Sequence, residues 1–227
     1  ASEIDRTARE LNVEVLGGHT EVAPGLRHPL VVMSGVGRAR ADRLLTAAGA
    51  KPGQALVLTK AAALEGTHIL ANDLAERLAG AVAEDLLAEA RGYAAELSVL
   101  PEARLAIELG ATAMHDPTEG GILGAVWEMA EASGCGVLVE AERIPVREAT
   151  RAICDALGAD PLRLIASGAL LIACPDGQPV VDALVKHGIP AAQIGQFTTG
   201  ERRVRTSDGR HHPLETVGRD ELYRLLD

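Results

Sequence analysis

The sequence predicts an α/β (α+β) fold, two layers built on a mixed sheet, rather than a doubly wound parallel one. Three observations predict it. Short apolar runs of strand length alternate with amphipathic stretches, but irregularly. The chain closes on a hairpin signal, Ser207-Asp208-Gly209-Arg210 between two short runs, which joins antiparallel neighbours. Of the 227 residues 47% are apolar but only 2% aromatic, so a sizeable core must be built from Ala, Leu, Val and Ile.

The elements follow in order. Ala1 stands where an initiator Met would, and Ser2 runs straight into an amphipathic helix with Ile4, Ala8 and Leu11 on one face. A chain that starts in mid-pattern leads us to expect residues upstream. A short strand over 14–16 ends in the glycine turn Gly17-Gly18, and a second over 29–36 is closed by Gly35 and Gly37. Residues 39–48 read as a connector with helical character. After the turn Lys51-Pro52-Gly53 comes a strand over 55–59.

Leu70, Leu74, Leu78, Val82 and Leu86 recur every four residues and predict a long helix over 67–95, with a break near Gly80 or Gly92. Pro101 suits the first turn of a further helix, stopped at Gly110. A short strand over 111–114 leads through a polar loop into a helix ending at Ser133, its apolar positions being Ile122, Leu123, Val126, Met129 and Ala130. A strand over 137–140, a helix over 147–157 and a strand over 169–173 come next. A helix over 178–187, a strand over 194–197, the hairpin strands over 204–206 and 211–214, and a helix over 220–226 complete the chain. There is no internal repeat.

The net charge of −10 argues against a nucleic-acid footprint, which needs clustered cations to displace counterions. Arg202, Arg203 and Arg205 read as one solvated strand face. Cys135, Cys154 and Cys174 are too far apart for a metal or redox pair and read as buried small hydrophobes in a reducing compartment. No apolar run approaches membrane-spanning length and no signal peptide opens these residues, so the expectation is a cytoplasmic protein away from membranes.

Two segments could carry chemistry. Asp116-Pro117-Thr118-Glu119-Gly120-Gly121 lies between a strand and a helix. A helix N-terminus offers unpaired N–H groups to a phosphate, and paired glycines let an anion come close. Asp116 or Thr118 could instead cap the helix, with Gly120 and Gly121 serving close packing. Gly17-Gly18-His19-Thr20-Glu21 offers a base, a hydroxyl and a carboxylate at a strand end, against the plainer reading of a glycine turn with polar decoration. Lys60 reads as a solvated strand end and His211-His212 as a polar hairpin strand. His68 and His187 lie on helices without a partner at metal-ligand spacing, and no metal-ligand set is read from the chain.

Taken in this order, the segments resemble the aminoimidazole ribonucleotide (AIR) synthetase superfamily. It includes formylglycinamide ribonucleotide amidotransferase, selenophosphate synthetase, thiamine-monophosphate kinase and the hydrogenase maturation family HypE. Gly17 to Thr20 matches a Gly-Gly-acidic-Thr turn, with His19 in place of the acidic residue. Lys51 to Lys60, KPGQALVLTK, matches the strand that opens the family's C-terminal domain, and Asp116 to Gly121 matches its second glycine motif. Ser167-Gly168 and Ile194-Gly195 fall where the family has similar pieces. The Asp-Pro-Thr-x-Gly-Gly form is that of HypE and of AIR-synthase-related, HypE-like proteins.

The resemblance implies that residues 1–40 are the tail of an N-terminal, ATP-binding domain and residues 41–227 the C-terminal domain. It implies ATP with Mg2+, and a reaction in which ATP phosphorylates an amide-like oxygen on a small or protein-borne substrate, activating it for dehydration or cyclisation. Asp116, Thr118, Glu119, Gly120 and Gly121 would hold phosphate or substrate, and Gly17, Gly18, His19, Thr20 and Glu21 would line the nucleotide cleft. A homodimer is the family's usual assembly. The family's glycine-rich ATP loop is not among these residues, nor is the reactive cysteine of HypE, and a non-catalytic phosphate-binding or assembly module is the alternative. The kinase branch, with Asp-x-Ser-Asp-Gly as its second motif, fits less well.

Overall fold

The computed structural model describes residues 2–41 and 44–226. The chain divides into two compact units, Ala1–Arg40 and Ala41–Asp227. The first holds α1 (Ser2–Leu11), laced by Arg6–Glu10 and Arg9–Asp5 pairs four residues apart. The strands expected over 14–16 and 29–36 do not form: residues 13–40 contain turns and irregular backbone only. A strand needs a neighbour for its N–H and C=O groups, and this unit supplies none. Its apolar residues are accordingly open, Val22 and Val36 almost completely.

Among the described residues the second unit has seven strands: β1 (Ala55–Thr59), β2 (Ala113–His115), β3 (Gly136–Glu140), β4 (Leu171–Cys174), β5 (Ala191–Thr198), β6 (Arg202–Arg205) and β7 (His211–Pro213). They form one sheet in the order β2-β4-β1-β5-β3-β6-β7. Neighbours are antiparallel except β3 and β6, which run parallel, so the mixed α/β fold expected from the irregular alternation is the one adopted. Val57 on β1 faces Ile172 on one side and Gln193 on the other, with a register shift at Leu56/Val57.

Alternation along the strands separates two cores. Leu56, Leu58, Val137, Val139, Leu171, Ala173 and Ile194 point to the face covered by α6 (Gly121–Ala132). Ala55, Val57, Ile172 and Cys174 point to the other, toward α5 (Leu100–Glu108) and α8 (Gly177–Lys186). A third cluster joins α2 (Leu64–Asp73), α4 (Glu84–Gly92), α7 (Glu148–Leu157) and α9 (Glu221–Leu226).

The long helix expected over 67–95 is in fact α2, the single turn α3 (Ala75–Leu78), α4 and a 3-10 turn, Tyr93–Glu96. Gly80 at φ +76° breaks it, a conformation open to glycine at no steric cost. All five positions of the four-residue stripe still reach the same cluster, so the stripe carries across the break expected near Gly80. The connector expected over 39–48 contains residues 42 and 43, outside the described residues, and shows a 3-10 turn at Ala47–Gly49 capped by the Thr46 hydroxyl.

The three arginines do not share a face. Arg203 and Arg205 are exposed and pair with Glu201 and Glu140, whereas Arg202 turns the other way, 5.4 Å from the Trp127 ring and paired with Glu131. All three cysteines are buried and free. Among the described residues no helix is long and apolar enough to cross a membrane.

Candidate functional site

β2 is an edge strand, and its last residue, His115, delivers the chain to the loop 116–120 and then to α6. Gly120 occupies the N-cap position at φ +83° with no side-chain cap, and Gly121 follows at φ +62°. Neither Asp116 nor Thr118 caps the helix. Two left-handed residues in succession demand glycine, and the space demands it again. A Cβ on Gly121 would lie 2.7 Å from the carbonyl oxygens of Leu162 and Leu164, and one on Gly120 would lie 3.1 Å from Val217.

Four amide groups at this end of α6 bond within the chain. Gly120 N–H donates to Asp220 Oδ2 at 2.6 Å. Gly121 donates to Thr118 O, Leu123 to Leu162 O and Gly124 to Gly120 O. A carboxylate from a residue one hundred positions away thus sits on the Gly120 amide, and both glycines lie where a side chain would meet close neighbours. Asp220 is 3% exposed, and its other oxygen accepts from Leu222 N–H at 2.7 Å, so one carboxylate closes the N-termini of both α6 and α9. Sequence reading placed Asp220 in the last helix and saw no link to the loop. An Asp just before an apolar helix was a capping signal, but its second partner left no trace in the sequence.

The outer side of the loop is open. Asp116 and Glu119 are exposed and Thr118 is half-buried. His115 bonds Glu128 Oε2 through Nε2 at 2.8 Å and has Nδ1 3.7 Å from Asp116 Oδ1. His115 and Glu128 had not been singled out, since a separation of thirteen residues carries no pattern. Tyr223 on α9 donates to Glu119 at 3.4 Å, and the nearby Glu119 charge, more than burial, holds its phenol above the usual range.

In the first unit Gly17, Gly18, His19, Thr20 and Glu21 lie on exposed irregular backbone, with His19 Nε2 3.5 Å from Glu21 Oε2. The two candidate segments thus fall in different units. His68 and His187 each turn Nδ1 to a backbone carbonyl, of Arg91 and Ala183.

Lys60 is not a solvated strand end. Its backbone is left-handed at φ +53°, and its ammonium reaches the carbonyls of Glu96, Ser98 and Gly168 at 2.8–2.9 Å. Glu102 Oε1 lies 2.5 Å away on a side chain only 1% exposed. Neither Glu102 oxygen receives a hydrogen bond of good angle, because three carbonyls take the ammonium's three protons, and charge alone holds the pair. Beside it Arg147 forks onto both oxygens of Glu96, which keeps that carboxyl below its usual range.

With the fold and loop in view, comparison with known proteins places the chain. Residues 51–207 match the family described as AIR synthase related protein, C-terminal domain. The chain belongs to that family. It is 30% identical to the carbamoyl dehydratase HypE of Cupriavidus necator over 227 aligned positions, covering 96% of this chain and 62% of that one. Among solved structures it is similar to Escherichia coli HypE, with a TM-score of 0.66 and 26% identity over 80% of this chain and 55% of that one. A HypE solved in complex with ATP shares the fold, with a TM-score of 0.61 and 23% identity over 81% of this chain and 56% of that one. The chain spans about three fifths of the length of that Cupriavidus necator relative.

Proposed function

We propose that this chain belongs to an ATP-dependent enzyme of the AIR synthetase/HypE type, acting in hydrogenase maturation on an amide-type substrate. The observation that carries the reading is the family match over 51–207 together with 30% identity to a carbamoyl dehydratase across nearly the whole chain. Such chemistry depends on positioning and charge neutralisation more than on a protein nucleophile.

The loop supports a particular division of labour. Its outer side presents the carboxylates of Asp116 and Glu119 and the Thr118 hydroxyl, acceptors suited to the N–H groups of a carboxamide. The Gly120, Gly121, Leu123 and Gly124 amides beneath them bond within the chain, which favours the carboxylates and the hydroxyl as the ligand-facing groups. Asp116, Thr118 and Glu119 would then hold and orient the amide, while Gly120 and Gly121 set the turn. His19, Thr20 and Glu21 are the candidates for the nucleotide side. ATP supplies a phosphoryl group that makes the amide oxygen a leaving group. Among the described residues no three His, Cys, Asp or Glu side chains gather as a metal-holding group, and the magnesium implied by the resemblance enters this reading with the nucleotide phosphates. A cytoplasmic homodimer belongs to the same reading.

Calorimetric titration of MgATP into the full-length protein, with and without a primary carboxamide, tests it. Saturable MgATP binding is expected, with carboxamide-stimulated ATP consumption falling at least tenfold in Asp116→Ala. Absence of MgATP binding would sink the enzyme reading and leave a binding or assembly module.

A further inference from the structure

The segment Leu162 to Ile165 receives three helices. Leu162 O accepts from Leu123 N–H at the start of α6, Arg163 O from Glu221 N–H at the start of α9, and Ile165 O from Gly66 N–H in the first turn of α2. Two of these helix starts are joined a second time by Asp220, whose carboxylate takes Gly120 N–H at 2.6 Å and Leu222 N–H at 2.7 Å while almost completely buried. Tyr223, one turn into α9, adds its hydroxyl to Glu119. Val217, just ahead of α9, lies against Gly120 and Gly124.

We propose that Asp220 is a positioning residue of the candidate site, clasping the loop 116–121 to the C-terminal helix so that the two order and open as one unit. The inference rests on the loop being the substrate side of the site. Its chemistry is that of a charge-assisted bridge. A buried carboxylate with a donor on each oxygen holds both donors in place, and loss of either leaves a buried charge with unmet capacity. α9 cannot lift away without exposing the Gly120 amide, and the loop cannot rearrange without freeing the start of α9. Whatever grips the C-terminal segment therefore acts on the loop, and whatever fills the site orders the C-terminal segment, since coupling between two sites is reciprocal.

Native-state hydrogen exchange on the full-length wild-type protein tests this without a substitution. The Gly120 and Leu222 amides are expected to share one opening free energy and one urea dependence, distinct from those of β1 and β4. Asp220→Asn, which keeps the shape but can accept only one of the two amides, is expected to raise exchange at both positions at least tenfold while β1 and β4 keep their rates. Saturating MgATP with a carboxamide is expected to protect Leu222 along with the loop, and Asp220→Asn to abolish that remote protection, an effect a merely stabilising residue would not give. Independent opening of Gly120 and Leu222 in the wild type overturns the clasp, as does a ligand that protects the loop alone. If no ligand binds, the reading of the site fails, and the wild-type exchange still decides the clasp.

Discussion

Gly121 shows at single-residue scale how sequence and packing converge. Its left-handed backbone and the two carbonyls 2.7 Å from a would-be Cβ are separate reasons for glycine. Gly134 has the same backbone, φ +63°, with nothing near its Cβ position. Gly134→Ala should cost only the conformational strain, about 1–2 kcal/mol. Gly121→Ala should add the overpacking against rigid backbone, about 1–3 kcal/mol more, and urea unfolding of the pair separates the two effects. Lys60 offers a second case. Lys60→Met leaves the Glu102 carboxylate buried without its counter-charge and should cost about 3–5 kcal/mol, most of it recovered in Lys60→Met/Glu102→Leu. Such pairs follow from the fold, not the local sequence, which is why Lys60 read as a strand end. The cysteines are simpler: burial pushes the Cys154 thiol up to about 12 and Cys174 to about 11, so iodoacetamide should label neither at neutral pH until the protein unfolds.

Elements were legible where one period and one neighbour sufficed. β1, α6 and the closing hairpin follow from apolar runs, 3.6-residue spacing and a Ser-Asp-Gly-Arg turn. The two strands expected in the first unit failed because strand propensity does not supply a partner; the long helix broke near Gly80 as expected and also at Leu74, where the stripe of leucines keeps its phase and gives no sign. The site was legible by half. The glycine motif announced a tight loop ahead of a helix, but which carboxylate closes that helix depended on a contact between positions 120 and 220. Long-range ties of this kind also set acid stability. Arg147 links the 3-10 turn ahead of α5 to the start of α7, forking onto Glu96 and lying 4.7 Å from the Tyr93 ring. Because the Glu96 carboxyl is held below its unfolded value of about 4.3, its contribution is present above that pH and is lost as pH falls through the lower folded value. Between pH 5 and 3, stability should therefore fall more steeply in the wild type than in Arg147→Met. Partial exposure of both groups keeps the difference modest, and urea midpoints measured across that range would show it.

At the scale of the whole molecule the two units differ in what holds them. The second has three apolar clusters of its own, a continuous seven-stranded sheet and the clasp at its C-terminal end. The first has one exposed helix and a run of apolar residues left open, with Leu16, Val22, Val32 and Val36 all more than four-fifths exposed. Backbone of that kind, with few internal hydrogen bonds and no buried side chain among the described residues, opens at little cost and is what a protease cuts first. Brief trypsin treatment of these residues should therefore cleave after Arg27, Arg38 or Arg40 well before any arginine of the sheet. The resistant product should begin near residue 41 and unfold with the same urea midpoint as the uncut chain, because none of its three clusters draws a residue from the first forty. A product that melts earlier would show that the first unit supports the second. The two candidate segments, one in each unit, would then have to be treated as parts of one cooperative structure.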